Sequence, residues 1–144
     1  MVRYVIDASV AVKWFVPFKA EEAHVNQALR LLDLFLHSEI SCYQPPHFIA
    51  EMIAVLPRLC PEQAAACVHD LLNMDFRYLE TTEVYAKACE LSLSLKHHTF
   101  DTLYHAVALN TAGAVFITAD EVYFRKAQSL GQIARLQDFE GLGI

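Results

Sequence analysis

The sequence lacks any stretch typical of a linker, an internal repeat or a low-complexity segment. No Ser/Gly-rich or Pro-rich run separates its regular segments, and no segment repeats along the 144 residues. A chain of this length with 55% hydrophobic residues can bury a substantial core. We therefore predict a single domain over residues 1–144.

A long uninterrupted apolar run is also missing. Arg3, Asp7 and Lys13 interrupt the apolar N-terminal stretch, which therefore fits neither a signal-peptide core nor a membrane span. The four cysteines form no CxxC pair and no zinc-like spacing, which is typical of reduced thiols in the cytosol. We expect a cytoplasmic protein with no membrane association.

Positive charge is in short supply, because the formal net charge is −6. A protein that binds nucleic acid tightly and generally has a basic surface, so this composition argues against such binding. The objection weakens if several of the acids converge on one divalent metal ion, since they would account for most of the deficit.

Short segments rich in β-branched and aromatic residues alternate with segments of helical periodicity. The predicted strands are Val2–Ile6, Ile40–Tyr43, Phe76–Leu79, Ala114–Ile117 and Ile133–Leu136. The predicted helices begin near Ala20, Pro46, Pro61, Val84, Asp101 and Val122, with Pro57 ending or kinking the second and Gly113 capping the fifth. This alternation predicts an α/β fold with a mainly parallel sheet.

Four acidic residues stand out by their places along this pattern. Asp7 follows the first strand, Glu51 lies in the helix after the second, Asp101 starts a helix, and Asp120 follows the fourth strand. Each also has a structural interpretation: Asp7 and Asp120 as N-caps, Asp101 as a partner of a helix dipole, and Glu51 as a solvated helix residue. One at a time, these interpretations are at least as good as a functional one.

Together the four acids favour a functional interpretation. An α/β sheet brings the carboxyl ends of its strands to one edge, where ligands bind near the reversal of strand order. Several carboxylates placed there raise one another's pKa unless a cation compensates them. Oxygen ligands favour Mg²⁺ or Mn²⁺, which can activate water and stabilise a phosphodiester transition state.

Four blocks of the sequence contain these acids: Val5-Ile6-Asp7-Ala8-Ser9-Val10-Ala11-Val12-Lys13-Trp14-Phe15, Pro45-Pro46-His47-Phe48-Ile49-Ala50-Glu51, Phe100-Asp101-Thr102-Leu103-Tyr104-His105-Ala106-Val107-Ala108, and Ile117-Thr118-Ala119-Asp120. Together these blocks resemble the PIN-domain family, especially the VapC-type toxins. An acid stands at each of the four expected positions, in the family's order. The resemblance extends over nearly the whole chain.

The resemblance implies a three-layer α/β/α sandwich with a central, mainly parallel sheet of four or five strands. It also implies that Asp7, Glu51, Asp101 and Asp120 bind Mg²⁺ or Mn²⁺ and hydrolyse single-stranded or loop RNA, leaving a 5′-phosphate. Ser9 and Thr118 match small hydroxyl positions beside the site, either orienting carboxylates or water, or capping a helix or turn. The expected partners are an RNA substrate, a cognate antitoxin and a second copy of the chain in a homodimer.

The sequence departs from the toxins at two positions near these acids. His105 replaces a residue that is usually aliphatic, and Ala54 stands where an Asn is often found. We interpret His105 as an i,i+4 hydrogen-bond partner of Asp101. His97 and His98 precede Asp101 and either contact RNA or are ordinary surface residues.

Aromatic residues follow the first strand: Trp14, Phe15 and Phe18. Such residues stack on bases less often than they pack in a core or a subunit interface, and we favour an interface. Lys13 is a candidate phosphate contact because it lies close to Asp7.

Three alternatives stay open on the sequence. The first is a catalytically silent PIN module that binds a protein or RNA partner, which the four intact acids disfavour. The second is a receiver-like phosphate-accepting domain, which would want paired acids after the first strand. The third is cleavage of DNA, because nothing in the sequence reads a 2′-hydroxyl.

Overall fold

The computed structural model describes residues 1–16 and 23–141, in which five strands alternate with seven α-helices. The strands are β1 (Val2–Ile6), β2 (Ile40–Gln44), β3 (Arg77–Tyr78), β4 (Val115–Thr118) and β5 (Ile133–Arg135). The helices are α1 (Ala8–Phe15), α2 (Val25–Leu36), α3 (Phe48–Leu59), α4 (Ala64–Leu72), α5 (Thr82–Leu95), α6 (Thr99–Leu109) and α7 (Glu121–Ala127). Ala20, near which the first helix was predicted to begin, lies outside the described residues, and the described helix α2 begins at Val25.

All five strands pair in parallel, in the order β3-β2-β1-β4-β5. The chain adds strands outward from β1 on one side and then crosses to build β4 and β5 on the other. The strand order therefore reverses between β1 and β4, which is where ligands bind in open sheets of this kind. A receiver-like sheet has the order 2-1-3-4-5, so this topology rules that alternative out.

The sheet is covered on both faces. Tyr4, Val5 and Ile6 are consecutive residues of β1 and all are buried, although successive side chains of a strand point to opposite faces. Helix α6 contacts β1, β2 and β4, while α1 contacts α2, α3 and β4. The predicted α/β fold with a parallel central sheet is confirmed.

Proline does not end α3. Pro57 lies inside this helix, which continues to Leu59, so of the two predicted effects, an end or a kink, the end is wrong. A proline removes the N–H that would pair with the carbonyl four residues earlier, here that of Ile53. Ile53 is 46% exposed, so water can satisfy that carbonyl near the end of the helix.

Glycine does not cap α6 either. The helix ends at Leu109, four residues before Gly113. Side chains satisfy two of its last carbonyls: the Asn110 amide donates to Ala106 O (2.8 Å), and the Thr111 hydroxyl donates to Val107 O (2.8 Å). Gly113 lies in the following turn with φ 73°.

Other boundaries shift by a few residues. Helix α4 begins three residues after Pro61, and α6 begins two residues before Asp101. The last predicted helix changes to a 3₁₀ turn over Gln128–Leu130. Among the helices described, none is long and apolar enough to cross a membrane.

Candidate active site

Two of the four acids lie at the edge of the sheet where the strand order reverses. Ile6 of β1 pairs with Ile117 of β4, and Asp7 continues this register by donating its N–H to Ile117 O at 3.1 Å. Asp120 stands two residues beyond the end of β4. The parallel pairing of β1 with β4 therefore brings both residues to the same edge.

Helices supply the other two acids. Glu51 lies in the first turn of α3 and Asp101 in the first turn of α6. All four acids line one cleft of about 380 Å³. Its other lining residues are small or apolar: Ala8, Ser9, Val12, Ala54 and Val55. The structure thus brings the four acids together from four separate parts of the chain.

Asp7 is the most buried of these acids, at 9% exposure. Burial, and to a smaller extent the nearby charges of Asp101 and Glu51, raise its pKa from 3.8 to about 6. The Thr118 hydroxyl opposes this shift by donating to Asp7 Oδ2 at 2.7 Å. The site therefore disfavours negative charge at Asp7 when no cation compensates it.

The capping interpretations of Asp7 and Asp120 also hold. Asp7 Oδ1 accepts from the Ser9 N–H at 3.4 Å at the start of α1. Asp120 Oδ1 accepts from the N–H groups of Val122 and Tyr123 at 3.0 and 3.1 Å at the start of α7. Capping fixes both carboxylates in place and still leaves them on the wall of the cleft.

The two supporting hydroxyls have different partners. Thr118 donates to the carboxylate of Asp7 and accepts from the Asp120 N–H at 3.0 Å. Ser9 accepts from the Ala119 N–H at 3.3 Å, which ties the start of α1 to the segment after β4. Thr118 therefore orients an acid, whereas Ser9 holds a turn.

Glu51 is held by two aromatic side chains. The buried Tyr104 hydroxyl donates to Glu51 Oε1 at 2.5 Å. His47 Nε2 lies 3.4 Å from the same oxygen and 2.7 Å from Phe100 O. His47 Nδ1 is buried and has no hydrogen-bond partner among the described residues. These contacts place one carboxylate oxygen of Glu51 in a polar, aromatic-lined corner.

Asp101 is contacted by the two histidines that precede it. Its Oδ2 lies 2.6 Å from His97 Nε2 and 3.1 Å from His98 Nε2. The other ring nitrogen of His97 lies 3.1 Å from Lys126 Nζ. His97 is therefore part of the surroundings of the acid rather than an ordinary surface residue.

The prediction for His105 is wrong. Its ring is buried between Tyr123 OH at 2.9 Å and Gly131 O at 2.8 Å, so both ring nitrogens are used away from Asp101. Helix α6 is buried over most of its length, and this position faces α7 rather than the cleft. Burial lowers the pKa of His105. The i,i+4 contact with Asp101 is made from the other side, by His97.

The aromatic prediction is wrong for Trp14. Its indole N–H donates to Ala28 O at 2.8 Å, and its ring stacks on Phe76, so it belongs to the chain's own core. Phe15 is half-buried, and Phe18 lies outside the described residues. Lys13 is buried at 7% exposure and is not among the residues that line the cleft of the four acids, so its contact with phosphate stays a prediction.

Sequence reasoning missed Tyr104, His47 and Gln44. Tyr104 lies three residues after Asp101 and His47 four before Glu51, so helical spacing already placed each on the same face as an acid. Gln44 gave no such signal. Its amide donates to Ile6 O and accepts from Ile6 N–H, both at 2.8 Å, extending the ladder between β2 and β1 beside Asp7.

The candidate metal ligands in the cleft are carboxylate oxygens, which suit a hard divalent cation such as Mg²⁺ or Mn²⁺. The pKa of Asp7 is raised mainly by burial, and a cation beside it would favour its charged form. The residues therefore fit such an ion: Asp7, Glu51, Asp101 and Asp120 would hold it.

Known proteins with a similar sequence pattern or a similar structure were then compared with this chain. The PIN domain family model matches residues 4–129. No curated protein sequence matches. VapBC2 from Rickettsia felis, bound to a DNA fragment from their promoter, has a similar structure (TM-score 0.68, 13% identity, 93% of this chain and 98% of that chain). VapBC-1 from nontypeable Haemophilus influenzae is similar with a TM-score of 0.64 and 16% identity, over 95% of this chain and 100% of that chain. PAE2754 from Pyrobaculum aerophilum is similar with a TM-score of 0.64 and 18% identity, over 94% of this chain and 90% of that chain. At these identities the structures share the fold.

Proposed function

This chain belongs to the PIN domain family, and from that premise we propose that it is a Mg²⁺- or Mn²⁺-dependent endoribonuclease acting on single-stranded or loop RNA. The proposal rests on one observation: four carboxylates from four separate elements line one cleft, with the most buried of them disfavouring its own charge. Such a cluster is costly for a fold unless it has a cationic ligand.

The acids have distinct supports in this proposal. Thr118 and the start of α1 hold Asp7, Tyr104 holds Glu51, and the start of α7 holds Asp120. A bound divalent ion would supply an activated water and stabilise charge on the phosphodiester. The protein itself would fix the four carboxylates in position and leave room in the cleft for a phosphate.

We further propose that the protein is the toxin of a VapBC-type pair, restrained by a small antitoxin, and that it forms a homodimer. The support comes from similar structures described as VapBC, among them one bound to DNA from their promoter. Co-expression with the product of a neighbouring small reading frame, followed by size-exclusion chromatography with light scattering, tests both statements.

The nuclease proposal is tested by incubating the purified protein with single-stranded and structured RNA, in the presence of Mg²⁺, Mn²⁺ or a chelator. We expect cleavage with either metal, none with the chelator, and loss of cleavage in Asp7→Asn. Products carrying a 5′-phosphate would agree with attack by water and departure of the ribose 3′ oxygen. DNA of the same sequence should be tested in parallel.

A silent binding module is the remaining alternative, and the same experiment separates it. Metal binding by calorimetry without cleavage of any RNA or DNA would favour the silent module. If the protein binds no metal either, the proposal that the four carboxylates form a divalent-metal site is contradicted.

A further inference from the structure

Lys126, His97 and Asp101 form a hydrogen-bonded chain from α7 to the cleft. Lys126 Nζ lies 3.1 Å from His97 Nδ1 and 3.2 Å from Lys96 O. His97 Nε2 in turn lies 2.6 Å from Asp101 Oδ2. Only 9% of the His97 side chain is exposed, so this geometry is held by packing.

Lys126 and Asp101 favour the same tautomer of His97, each from its own side of the ring. A lysine ammonium has only donors, so Nδ1 of His97 must accept, and its proton must then lie on Nε2. Nε2 faces Asp101 and donates to it. Tyr123 packs against the ring, with centroids 5.0 Å apart at an interplanar angle of 68°. The Ser92 hydroxyl donates to the backbone carbonyl of His97 and so holds the main chain at this residue.

From this geometry we propose that His97 is a positioning residue for Asp101, held in its Nε2–H tautomer by Lys126 and by Asp101 itself. His98 Nε2 adds a second contact at 3.1 Å to the same oxygen, Oδ2. Among the described residues no donor contacts Oδ1 of Asp101, which leaves that oxygen for a cation in the cleft. This inference rests on the proposed function, in which Asp101 is a metal ligand.

The same cluster invites another interpretation. His97, His98 and Asp101 each offer one ligand atom, and these atoms lie within 4.8 Å of one another, a spacing that suits an imidazole-preferring metal such as Zn²⁺. Lys126 argues against it, because the proton it keeps on His97 Nε2 occupies the atom that would bind the ion. The structure therefore favours a support for Asp101 over a separate metal site.

The experiment uses four variants of the full chain. His97→Leu removes the donor, and His97→Gln restores an N–H at a similar reach. Lys126→Met removes the ammonium that disfavours a proton on Nδ1. His69→Gln changes an exposed histidine on α4, away from the cleft, and serves as the matched control. Circular dichroism and thermal melting first establish that each variant folds.

The direct readout is the tautomer of His97, observed by ¹⁵N–¹H correlation of the imidazole at about pH 8, where free histidine is neutral. We expect Nε2–H in the wild type and in His69→Gln. In Lys126→Met the Asp101 carboxylate still accepts from Nε2–H, so this tautomer should remain the major one, with a smaller share than in the wild type. An Nδ1–H tautomer in the wild type would overturn the proposal.

The second readout is Mn²⁺ affinity by calorimetry. His97→Leu should bind Mn²⁺ about 10-fold more weakly, as is typical when a residue that orients a metal ligand is lost, and His97→Gln should recover most of that affinity. Wild-type affinity in a folded His97→Leu would overturn the inference and leave the proposed function standing. A wild type that binds no Mn²⁺ would overturn both. Zn²⁺ binding by the wild type that is lost in His97→Leu, with Mn²⁺ binding intact in every variant, would identify the separate metal site instead.

Discussion

The Tyr104 hydroxyl donates a 2.5 Å hydrogen bond to Glu51 Oε1, which joins the buried helix α6 to the first turn of α3. Tyr104 is fully buried, and its ring stacks on Phe116 with centroids 5.6 Å apart. Burial, and then the nearby charges of Asp7 and Glu51, raise the pKa of Tyr104 above its usual range. Tyr104 therefore stays protonated and holds Glu51 as a permanent donor.

Removing this hydroxyl should loosen Glu51 without emptying the core. We expect Tyr104→Phe to lower the free energy of unfolding by roughly 1–3 kcal/mol, the range for a hydrogen bond to a charged acceptor. Mn²⁺ binding should weaken as well, because the carboxylate loses its orientation. Urea denaturation and calorimetry measure the two effects.

The chain contains a matched surface pair for this test. Tyr85 OH donates to Glu80 Oε2 at 2.6 Å, and Tyr85 is 44% exposed. We expect Tyr85→Phe to change the stability by less than about 0.5 kcal/mol, as is usual for surface substitutions. Equal losses in the two variants would mean that burial beside the acids adds nothing to the Tyr104 bond.

Asp7→Asn should stabilise the protein when metal is absent. The pKa of Asp7 is 3.8 when unperturbed and about 6 in the folded state, so the folded state holds its proton more tightly. The charged form thus costs stability as pH rises from about 4 through 6, and a shift of this size corresponds to at most about 3 kcal/mol. In a chelator above that window, Asp7→Asn should unfold at higher urea concentration than the wild type.

This difference should depend on pH and metal. Below about pH 4 the two proteins should converge, because Asp7 is then protonated in both states. Saturating Mn²⁺ should stabilise the wild type more than Asp7→Asn. Asp33→Asn, at an exposed pair with Arg30, controls for general charge effects. Equal stabilities of Asp7→Asn and wild type at neutral pH in a chelator would contradict the raised pKa.

His105 should make the protein sensitive to mild acid. Burial lowers its pKa in the folded state, so the folded state binds fewer protons than the unfolded chain, whose histidines titrate near about 6.5. Stability should therefore fall as pH drops through and below that value. In a variant without this imidazole, the free energy of unfolding should fall less as the pH is lowered.

His105→Leu tests this by urea denaturation at several pH values. At alkaline pH the variant should lose roughly 1–3 kcal/mol, because the Tyr123 hydroxyl and the Gly131 carbonyl each lose a buried partner. Towards lower pH the gap to the wild type should narrow. The exposed His69→Gln variant should leave the pH profile unchanged, and a gap that stays constant in His105→Leu would refute the assignment.

Gln44→Leu should cost more than its change in volume suggests. The amide pairs with both backbone groups of Ile6, and a leucine would leave that N–H and carbonyl buried without partners. We expect a loss of roughly 2–4 kcal/mol and weaker metal binding, since Asp7 is the next residue. Gln128→Leu, at an exposed position, is the control. If Gln44→Leu hardly changes the free energy of unfolding, the end of β1 must shift so that water hydrogen-bonds the backbone groups of Ile6.

Local sequence pattern was sufficient for the order of the strands and of helices α2 to α7, and for the places of the four acids along them. Helix α1 was not predicted, since its residues Val10–Trp14 are all buried and show no amphipathic period. The β-branched residues of Val2–Ile6 and the helical period from Val25 to Phe35 are properties of neighbouring residues, so they can be read without the fold. The positions of Asp7 and Asp120 at strand ends follow from the same pattern. The boundaries were less certain: Pro57 is tolerated because Ile53 is exposed, and side chains of Asn110 and Thr111 end α6 before any glycine does.

Only the tertiary structure decided which groups surround those acids. The partners of Glu51 and Asp7, Tyr104 and Thr118, lie 53 and 111 residues away along the chain, and no local periodicity reports a contact made across a sheet. His97 and His105 both lie four residues from Asp101, yet one bonds it and the other turns to α7. Sequence spacing predicts which residues lie on the same face of a helix. The packing of neighbouring elements determines which of those residues point into the cleft.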